Sequence, residues 1–209
     1  CMFFTFNILS GYEYEAGDHE LLLMPTAYTM PKGGKYFSNY ELFFLNLAAA
    51  PTDRTHLAVF TLFPIHTDFL RTISFGIKQN YLRREKIQSA GWFAYNFESK
   101  GVSIGNVVSL GQKKRSLYLG ITALTAEDVD KFEFLYMIGL RLGSERSDFM
   151  IEFENTNTLI EDDFNGILTF GFRFRGETIT WDLAGVRPLW ENTGNFLMFP
   201  LVKATIYFE

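Results

Sequence analysis

The feature that most limits how this chain can fold is the regular alternation of apolar with small or polar residues in its second half. Five segments show the pattern, at residues 132–142, 149–154, 168–175, 178–183 and 202–208. In the clearest of them, Phe172 and Phe174 alternate with Arg173 and Arg175. Successive side chains of a strand point to opposite faces, so a period of two predicts β-strands.

The two faces of these predicted strands differ in chemistry. Apart from Leu135, Met137 and Met150, one face is small, polar or charged, and unpaired charges cost several kcal/mol each in a dry core. The other face is apolar and aromatic throughout. This combination predicts a closed antiparallel transmembrane β-barrel of the up-and-down type. The residues predicted to face lipid are Phe132, Phe134, Phe149, Ile151, Phe153, Phe170, Phe172 and Phe174.

The whole chain is read as about twelve strands, most of them with the roughly 9–11 residues that a tilted strand needs to cross a bilayer. The predicted strands span 19–29, 36–49, 55–64, 69–81, 86–98, 101–111, 115–124, 131–142, 147–156, 165–175, 178–186 and 197–208. We expect residues 19–209 to form the barrel. Residues 1–18 are interpreted as a separate N-terminal segment, either a lipid-anchored piece or a plug.

The connections between these strands alternate between two kinds. Every second connection is tight and contains Arg or Lys, at 51–54, 82–86, 112–115, 143–146 and 175–177. The connections between them are longer on average, and several are acidic; the first, at 30–35, is basic and breaks the rule. Short turns at one end and longer loops at the other are typical of outer-membrane barrels. A soluble sandwich or a lipocalin-like barrel would also alternate, but neither predicts this difference between the ends.

Composition and motifs exclude several other classes of protein. No stretch approaches the roughly 18–20 uninterrupted apolar residues of a membrane-spanning helix. The net charge of −5 argues against a nucleic-acid partner. One cysteine and three scattered histidines give no disulfide and no metal-ligand spacing, so no metal or cofactor is predicted.

Cys1, the first residue, leaves two interpretations open. It is the predicted lipidation site if the chain is a processed lipoprotein, since it resembles the N-terminal cysteine of lipobox-cleaved bacterial lipoproteins. In the other interpretation, residues 1–4 are the remnant of a signal peptide's apolar region.

Several short motifs resemble a family of uncharacterised Gram-negative outer-membrane β-barrel proteins. They are Pro25-Thr26-Ala27, the run from Lys32 to Tyr40, Asn46, Thr52-Asp53-Arg54 and Phe63-Pro64. In that family the first hairpin carries a similar Lys-Gly-x-Gly-Tyr-x-x-Asn loop, followed by a Thr-Asp turn. Tyr207-Phe208 is similar to the C-terminal aromatic signal read by the barrel-assembly machinery. The resemblance implies a bacterial outer-membrane location and carries no established activity.

Charged residues on the polar faces form the main candidate site. They are Glu41, Lys78, Lys131, Glu133, Arg141, Glu152, Glu154, Arg173, Arg175, Asp182 and Lys203. Both signs are represented, and a barrel of about twelve strands has a narrow lumen. These charges therefore either pair into a closed interior, which we favour, or line a narrow aqueous path.

Hairpin geometry predicts which of these charges are neighbours. A two-residue loop at Gly176-Glu177 would place Asp182 diagonally within reach of Arg173. A turn at 143–146 would place Arg141 near Met150 and diagonally within reach of Glu152.

Other candidate residues have weaker signals. His19, His56 and His66 lie in no recognisable catalytic motif, so an enzyme is not expected. The acidic pairs Glu127-Asp128 and Asp162-Asp163 lack calcium-loop spacing. Aromatic and basic side chains at membrane interfaces usually serve as anchors. We interpret Lys32, Lys35, Tyr36, Phe37, Trp92, Trp181 and Trp190 in this way, although the basic loop could instead touch lipopolysaccharide.

The sequence therefore predicts a non-enzymatic outer-membrane barrel that acts as a structural or assembly component. Its expected partners are outer-membrane lipid, lipopolysaccharide and other proteins bound through its loops or wall. A narrow diffusion channel or small-solute transporter is the alternative.

Overall fold

The computed structural model describes residues 14–62, 72–125, 127, 132–155, 166–189 and 198–208. Twelve antiparallel strands form a closed barrel in which each strand pairs with its sequence neighbours and β12 closes on β1. The predicted closed antiparallel barrel of the up-and-down type, with about twelve strands, is confirmed. The strands are β1 (Lys35–Tyr40), β2 (Phe44–Thr52), β3 (Thr55–Leu62), β4 (Ser74–Arg83), β5 (Ile87–Asn96), β6 (Val102–Gln112), β7 (Arg115–Thr125), β8 (Glu133–Gly143), β9 (Ser147–Asn155), β10 (Gly166–Arg175), β11 (Ile179–Pro188) and β12 (Phe199–Phe208).

The first two predicted strands are wrong. One of them is not a wall strand and the other contains two strands, so the number of strands is still twelve. The predicted strand at 36–49 is a hairpin, because the chain reverses at Glu41 and Leu42, which have φ of 51° and 65°. Side chains at positive φ do not fit a strand. Glu41 is therefore an exposed turn residue and does not belong to the lumen.

The predicted strand at 19–29 is not part of the wall. Residues 14–30, which we call the plug, form turns and one isolated bridge between Glu20 and Pro25. Most of them are buried, and Leu21, Leu22 and Met24 lie in one core cluster with inward-facing wall residues such as Val107 and Tyr118. The run from Leu21 to Met24 does not alternate, because this irregular segment packs against the barrel interior on more than one side.

The two ends of the barrel differ as the sequence predicts. Connections of two or three residues join β2 to β3, β4 to β5, β6 to β7, β8 to β9 and β10 to β11 at one end, called here the turn end. The opposite loop end has connections of up to eleven residues, between β3 and β4, and one short turn at 41–43. Lys35 pairs with both Ala49 and Phe208, so the basic segment 30–35 lies at the turn end. This segment therefore follows the same rule as the other basic connections, which lie at the end with the short turns.

The outer face of the barrel is apolar. All eight residues predicted to face lipid point outward, and Phe172 and Phe174 are 51% and 46% exposed. In the described strands, the charged residues on this face are at strand ends, at Lys35, Arg115 and Arg187. Soluble monomers rarely expose an apolar surface of this extent.

One polar group in the middle of the outer face is internally satisfied. The amide of Asn106 in β6 donates to the hydroxyl of Tyr81 over 2.5 Å, and the hydroxyl of Ser89 also donates to that oxygen over 2.6 Å. Tyr81 sits where the β4–β5 register shifts between Asn80 and Leu82. Tyr81 follows the outward alternation of Ile77 and Gln79, is 56% exposed and reaches the polar pair.

No helix among the described residues is long and apolar enough to cross a membrane.

Candidate functional site

The inner face of the barrel is occupied by the plug, which is held by side chains from the wall. The strongest anchor is Arg173 of β10, whose guanidinium is fully buried. It donates to the backbone carbonyls of Gly17, Glu20 and Leu21 at 2.5–3.1 Å. It also makes a two-bond ion pair with Asp182, at 2.7 and 2.8 Å. Arg173 thereby joins the plug to two adjacent strands.

The position of this pair corrects the predicted hairpin register. Arg173 lies directly opposite Asp182, because Arg175 pairs with Thr180 and the amide of Gly176 donates to the carbonyl of Ile179. The loop therefore consists of Glu177 and Thr178. The shift of two residues turns a predicted diagonal contact into a facing pair.

Lys203 of β12 forms a second anchor beside the first. Its ammonium donates to the carbonyls of Leu21 and Leu22 at 2.9 and 2.7 Å. It also lies 2.8 Å from Asp182 and 3.2 Å from Glu20. The carboxylate of Glu20 accepts a further hydrogen bond from the hydroxyl of Tyr40 at 2.5 Å. These contacts satisfy a buried lysine and two buried carboxylates together.

Asp18 of the plug is the centre of a third group near the turn end. Its carboxylate pairs with Arg141 at 3.1 Å, Lys113 at 2.7 Å and Arg175 at 3.3 Å. Arg141 and Arg175 also pair with Asp148 of β9. Arg141 lies opposite Met150 as predicted. Its carboxylate partners are Asp18 and Asp148, however, and Glu152 is bound elsewhere.

Glu152 binds the backbone of the plug. Its carboxylate accepts hydrogen bonds from the amides of Leu22, Leu23 and Met24. These amides lack strand partners because the plug is irregular, and a buried amide without a partner costs free energy. A carboxylate on the wall thus replaces the ladder hydrogen bonds of a strand.

Weaker polar contacts hold the remainder of the plug. Asn80 donates to the carbonyl of Ala27 at 2.6 Å, and the hydroxyl of Ser109 accepts from the Ala27 amide at 3.0 Å. The ring of His56 accepts a hydrogen bond from the amide of Met30. The plug is therefore hydrogen-bonded to wall strands on opposite sides of the lumen.

The protonation of the plug carboxylates follows from these partners. Burial raises the pKa of Asp18, but attraction to Arg141, Lys113 and Arg175 outweighs it and holds this pKa well below the usual range. Burial likewise raises the pKa of Glu20, and Lys203 and His19 lower it further than burial raises it. Both groups are therefore carboxylates at neutral pH. Burial lowers the pKa of His19, so this imidazole is neutral.

The structure places most of the predicted lumen charges on the inner wall. Arg141, Glu152, Arg173, Arg175, Asp182 and Lys203 meet the plug or its carboxylate partners. Lys78 also contacts the plug, whereas Glu133 and Glu154 lie nearer the loop end. Lys131, Cys1, Trp190, His66, Asp128, Asp162 and Asp163 lie outside the described residues.

Three essential carboxylates were not among the predicted lumen charges. Asp148 alternates on the polar side of β9, so a stricter reading of that strand would have found it. Asp18 and Glu20 lie in the irregular plug, where no periodicity marks which side chains are buried. Their role depends on the tertiary structure.

Two aromatic predictions also change. Trp92 faces the lumen and packs against the plug cluster, so it is not an interfacial anchor. A Cβ on the facing Gly105 would lie 2.1 Å from the indole, so only glycine leaves room for this ring. Tyr36 is likewise buried, and its ring stacks on His19. Trp181 lies on the outer face and is 49% exposed.

The inner face near the loop end is mainly apolar. Phe44, Phe60 and Phe199 are on inward-facing positions there and are 38–53% exposed. Leu135, the residue that interrupted the polar side of β8, also faces inward, as do Ile167 and Val186. The lumen therefore has an ion-paired half near the turn end and a mainly apolar half near the loop end, where the charged inward residues of the described strands are Glu133 and Glu154.

The described histidines, His19 and His56, and the loop carboxylate of Glu127 are engaged in structural contacts. His19 is hydrogen-bonded to the Tyr14 hydroxyl and lies 3.0 Å from Glu20. Glu127 forms an exposed pair with Lys100. No group of three or more His, Cys, Asp and Glu side chains in the described part of the chain could hold a metal ion.

No known protein-family model matches this chain, and comparison with curated proteins gives no significant match.

Proposed function

We propose that this protein is a bacterial outer-membrane β-barrel that acts as a non-enzymatic structural or assembly component. The observation that carries the proposal is the clamping of the plug by buried ion pairs. Four cations and four carboxylates take part, each with a side chain at most 9% exposed: Arg141, Arg173, Arg175, Lys203, Asp18, Glu20, Asp148 and Asp182. A lumen filled in this way suits a scaffold better than a conduit.

The outer surface supports the membrane location. Between its ends, the described outer face carries apolar and aromatic side chains and no charged residue. Closed barrels leave no unpaired strand edge, which is the requirement for strands that cross a bilayer. Outer-membrane lipid and lipopolysaccharide are then the immediate partners. The motifs behind the family resemblance lie in the plug, at Thr26 and Ala27, and in the first wall strand, which begins at Lys35.

A diffusion channel is the competing function, and it requires the plug to move. Arg141 and Arg173 are fully buried and Lys203 is 1% exposed, so these three side chains are not in contact with bulk water. Conduction would need several of these buried pairs to break together. Removing a partner from one such pair typically costs about 3–5 kcal/mol.

Planar-bilayer recordings on the purified full chain test the proposal. The wild type should show no steady unitary openings. The double variant Arg173→Gln/Lys203→Gln, which releases the Leu21 carbonyl from both anchors, should show openings. Steady openings of the wild type at moderate voltage would contradict the proposal and favour the channel.

A disulfide between plug and wall provides the matched control. Ala27 and Ser109 are joined by a 3.0 Å hydrogen bond, so Ala27→Cys/Ser109→Cys in a Cys1→Ser background should cross-link. The oxidised form should silence the openings of the Arg173/Lys203 variant, and reduction should restore them. Proteins that co-purify with the wild type in mild detergent would then identify assembly partners.

A further inference from the structure

A cavity of about 210 Å³ lies between the plug and the wall formed by β1–β5. Leu23 and Pro25 of the plug and Trp92 and Ala94 of β5 form part of its lining. Leu23 is 38% exposed, so water reaches the cavity. A cavity of about 150 Å³ is enough to bind benzene, so this one has room for a somewhat larger molecule.

A half-buried lysine that forms no ion pair with the described residues lies at this cavity. The ammonium of Lys78 donates to the carbonyls of His19 and Thr26 at 3.0 and 3.2 Å. It forms no ion pair within the described part of the chain. Glu20 lines the same cavity, but Lys203, His19 and Tyr40 already hold its carboxylate. An ammonium has three N–H donors, and two carbonyls do not balance its charge.

A second unsatisfied polar group lines the cavity. The side-chain amide of Asn46 donates to the hydroxyl of Tyr36 at 3.2 Å, while its buried Oδ1 has no hydrogen-bond partner. Buried polar atoms without a partner are uncommon in folded proteins. The cavity therefore combines an uncompensated cation, an unsatisfied amide and an apolar lining. This is the composition expected of a small-molecule site.

We propose that this cavity binds a small monocarboxylate with an apolar body, such as an aromatic or short aliphatic acid. The carboxylate accepts the free N–H of Lys78 and supplies the missing negative charge. The apolar body packs against Trp92 and Leu23. A neutral molecule of the same shape would leave the lysine uncompensated, and a cation would be repelled by it.

Fluorescence of Trp92 provides a direct measurement. In a Trp181→Phe/Trp190→Phe background, Trp92 is the remaining tryptophan. Benzoate should change its emission saturably, and benzamide, the neutral analogue, should bind at least tenfold more weakly. Equal affinity for benzoate and benzamide, or no saturable change with benzoate, would overturn the proposal.

Two variants locate the site. Lys78→Gln should weaken benzoate binding at least tenfold and remove the preference over benzamide. Ala94→Leu should block the cavity while leaving Lys78 in place, and its control Ala123→Leu adds the same bulk to the outer face and should bind as the wild type does. Benzoate binding that survives both Lys78→Gln and Ala94→Leu would place the ligand elsewhere and overturn the proposal.

This site does not depend on whether the barrel conducts. Binding is measured on protein in detergent, and the bilayer recordings measure a different property. A conducting wild type that binds benzoate would contradict the proposed scaffold function alone.

Discussion

At the scale of single residues, the buried charges act as connectors between elements that have no regular hydrogen bonding with each other. Arg173 bonds to three plug carbonyls and to Asp182, so its removal breaks contacts of two kinds. An arginine provides five donors in a planar fork, which allows one side chain to bind several acceptors. When one member of the pair is removed, the other remains as a buried unpaired charge. The free-energy cost of that charge exceeds the stabilisation that the intact pair provides.

A double-mutant cycle on Arg173 and Asp182 should therefore show strong coupling. Arg173→Gln and Asp182→Asn should each lower the free energy of unfolding by about 3–5 kcal/mol. The double variant should lose less than the sum, with a coupling above about 1 kcal/mol. Urea unfolding in detergent provides the measurement. The exposed pair Lys100–Glu127 is the control and should couple by less than about 1 kcal/mol. A coupling below about 0.5 kcal/mol for Arg173 and Asp182 would contradict the clamp.

The hydroxyl of Tyr81 should stabilise the outer face of the barrel, where it accepts a hydrogen bond from the Asn106 amide. Tyr81→Phe leaves the Asn106 amide without its hydrogen-bond partner on the outer surface. The expected loss is about 1–3 kcal/mol of unfolding free energy. Tyr136→Phe is the matched control, because Tyr136 is also outward and 56% exposed, with no hydroxyl partner among the described residues. Equal effects of the two substitutions would show that Asn106 does not depend on Tyr81.

At the scale of elements, the plug and the strands follow different rules. The backbone amides and carbonyls of a strand form hydrogen bonds with neighbouring strands. Those of the plug form hydrogen bonds with the side chains of Arg173, Lys203 and Glu152. Its shape also depends on Gly17, which has a φ of 82° and lies against the guanidinium of Arg173. A Cβ there would lie 2.8 Å from the Arg173 Cζ. Glycine meets a conformational and a steric requirement at the same position.

Comparison of two glycines separates these requirements. Gly17→Ala and Gly33→Ala both place a side chain at positive φ, but a Cβ on Gly33 would have no heavy atom within 4 Å. Gly33→Ala should cost roughly 1–2 kcal/mol of unfolding free energy from backbone strain alone. Gly17→Ala should cost at least about 1 kcal/mol more, because Arg173 must shift. Equal urea midpoints for the two variants would contradict the close contact.

Acid should weaken the ion pairs that hold the plug. The pKa values of Asp18 and Glu20 are lowered in the folded protein, so both carboxyls stabilise it above their unfolded pKa values of about 4. The part of the unfolding free energy that these two carboxyls contribute should be constant above about pH 6 and should fall as the pH drops below about 5. Urea unfolding across this range tests the expectation.

Variants identify the groups responsible for the acid response. Asp18→Asn should be less stable at neutral pH and should lose less stability on acidification to about pH 3 than the wild type. Glu145→Gln, which changes an exposed turn residue, should keep the wild-type slope. An unchanged slope for Asp18→Asn would mean that other carboxyls cause the loss.

At the scale of the whole molecule, the barrel places apolar surface outside and charges inside, the reverse of a soluble protein. Phe172 is 51% exposed on the outer face while the adjacent Arg173 is fully buried. In a lipid bilayer this arrangement is favourable on both sides. In water it would expose a broad apolar belt and prevent a soluble monomer.

Arginine at Phe172 tests the lipid contact. If the belt lies in a bilayer, Phe172→Arg near the middle of β10 should cost about 2–4 kcal/mol. Phe174→Arg lies closer to the turn end and should cost less, because the penalty falls toward the membrane interface. Refolding into lipid vesicles followed by urea titration gives both values. A cost that does not depend on depth would argue against membrane insertion.

The sequence by itself determined most of the wall and which face of each strand is apolar. Alternation at positions such as Phe172 and Arg173 depends only on the geometry of a strand, so it could be read without the fold. The apolar outer face follows from it, and the short basic turns could be read from the composition of the connections. Tertiary structure alone decided the contents of the lumen, because Asp18 and Glu20 are distant in sequence from Arg173 and Lys203 and lie in a segment without periodicity. It also decided that Arg173 lies directly opposite Asp182. A shift of two residues in the hairpin register leaves every side chain on the same face of the sheet and changes only its cross-strand partner.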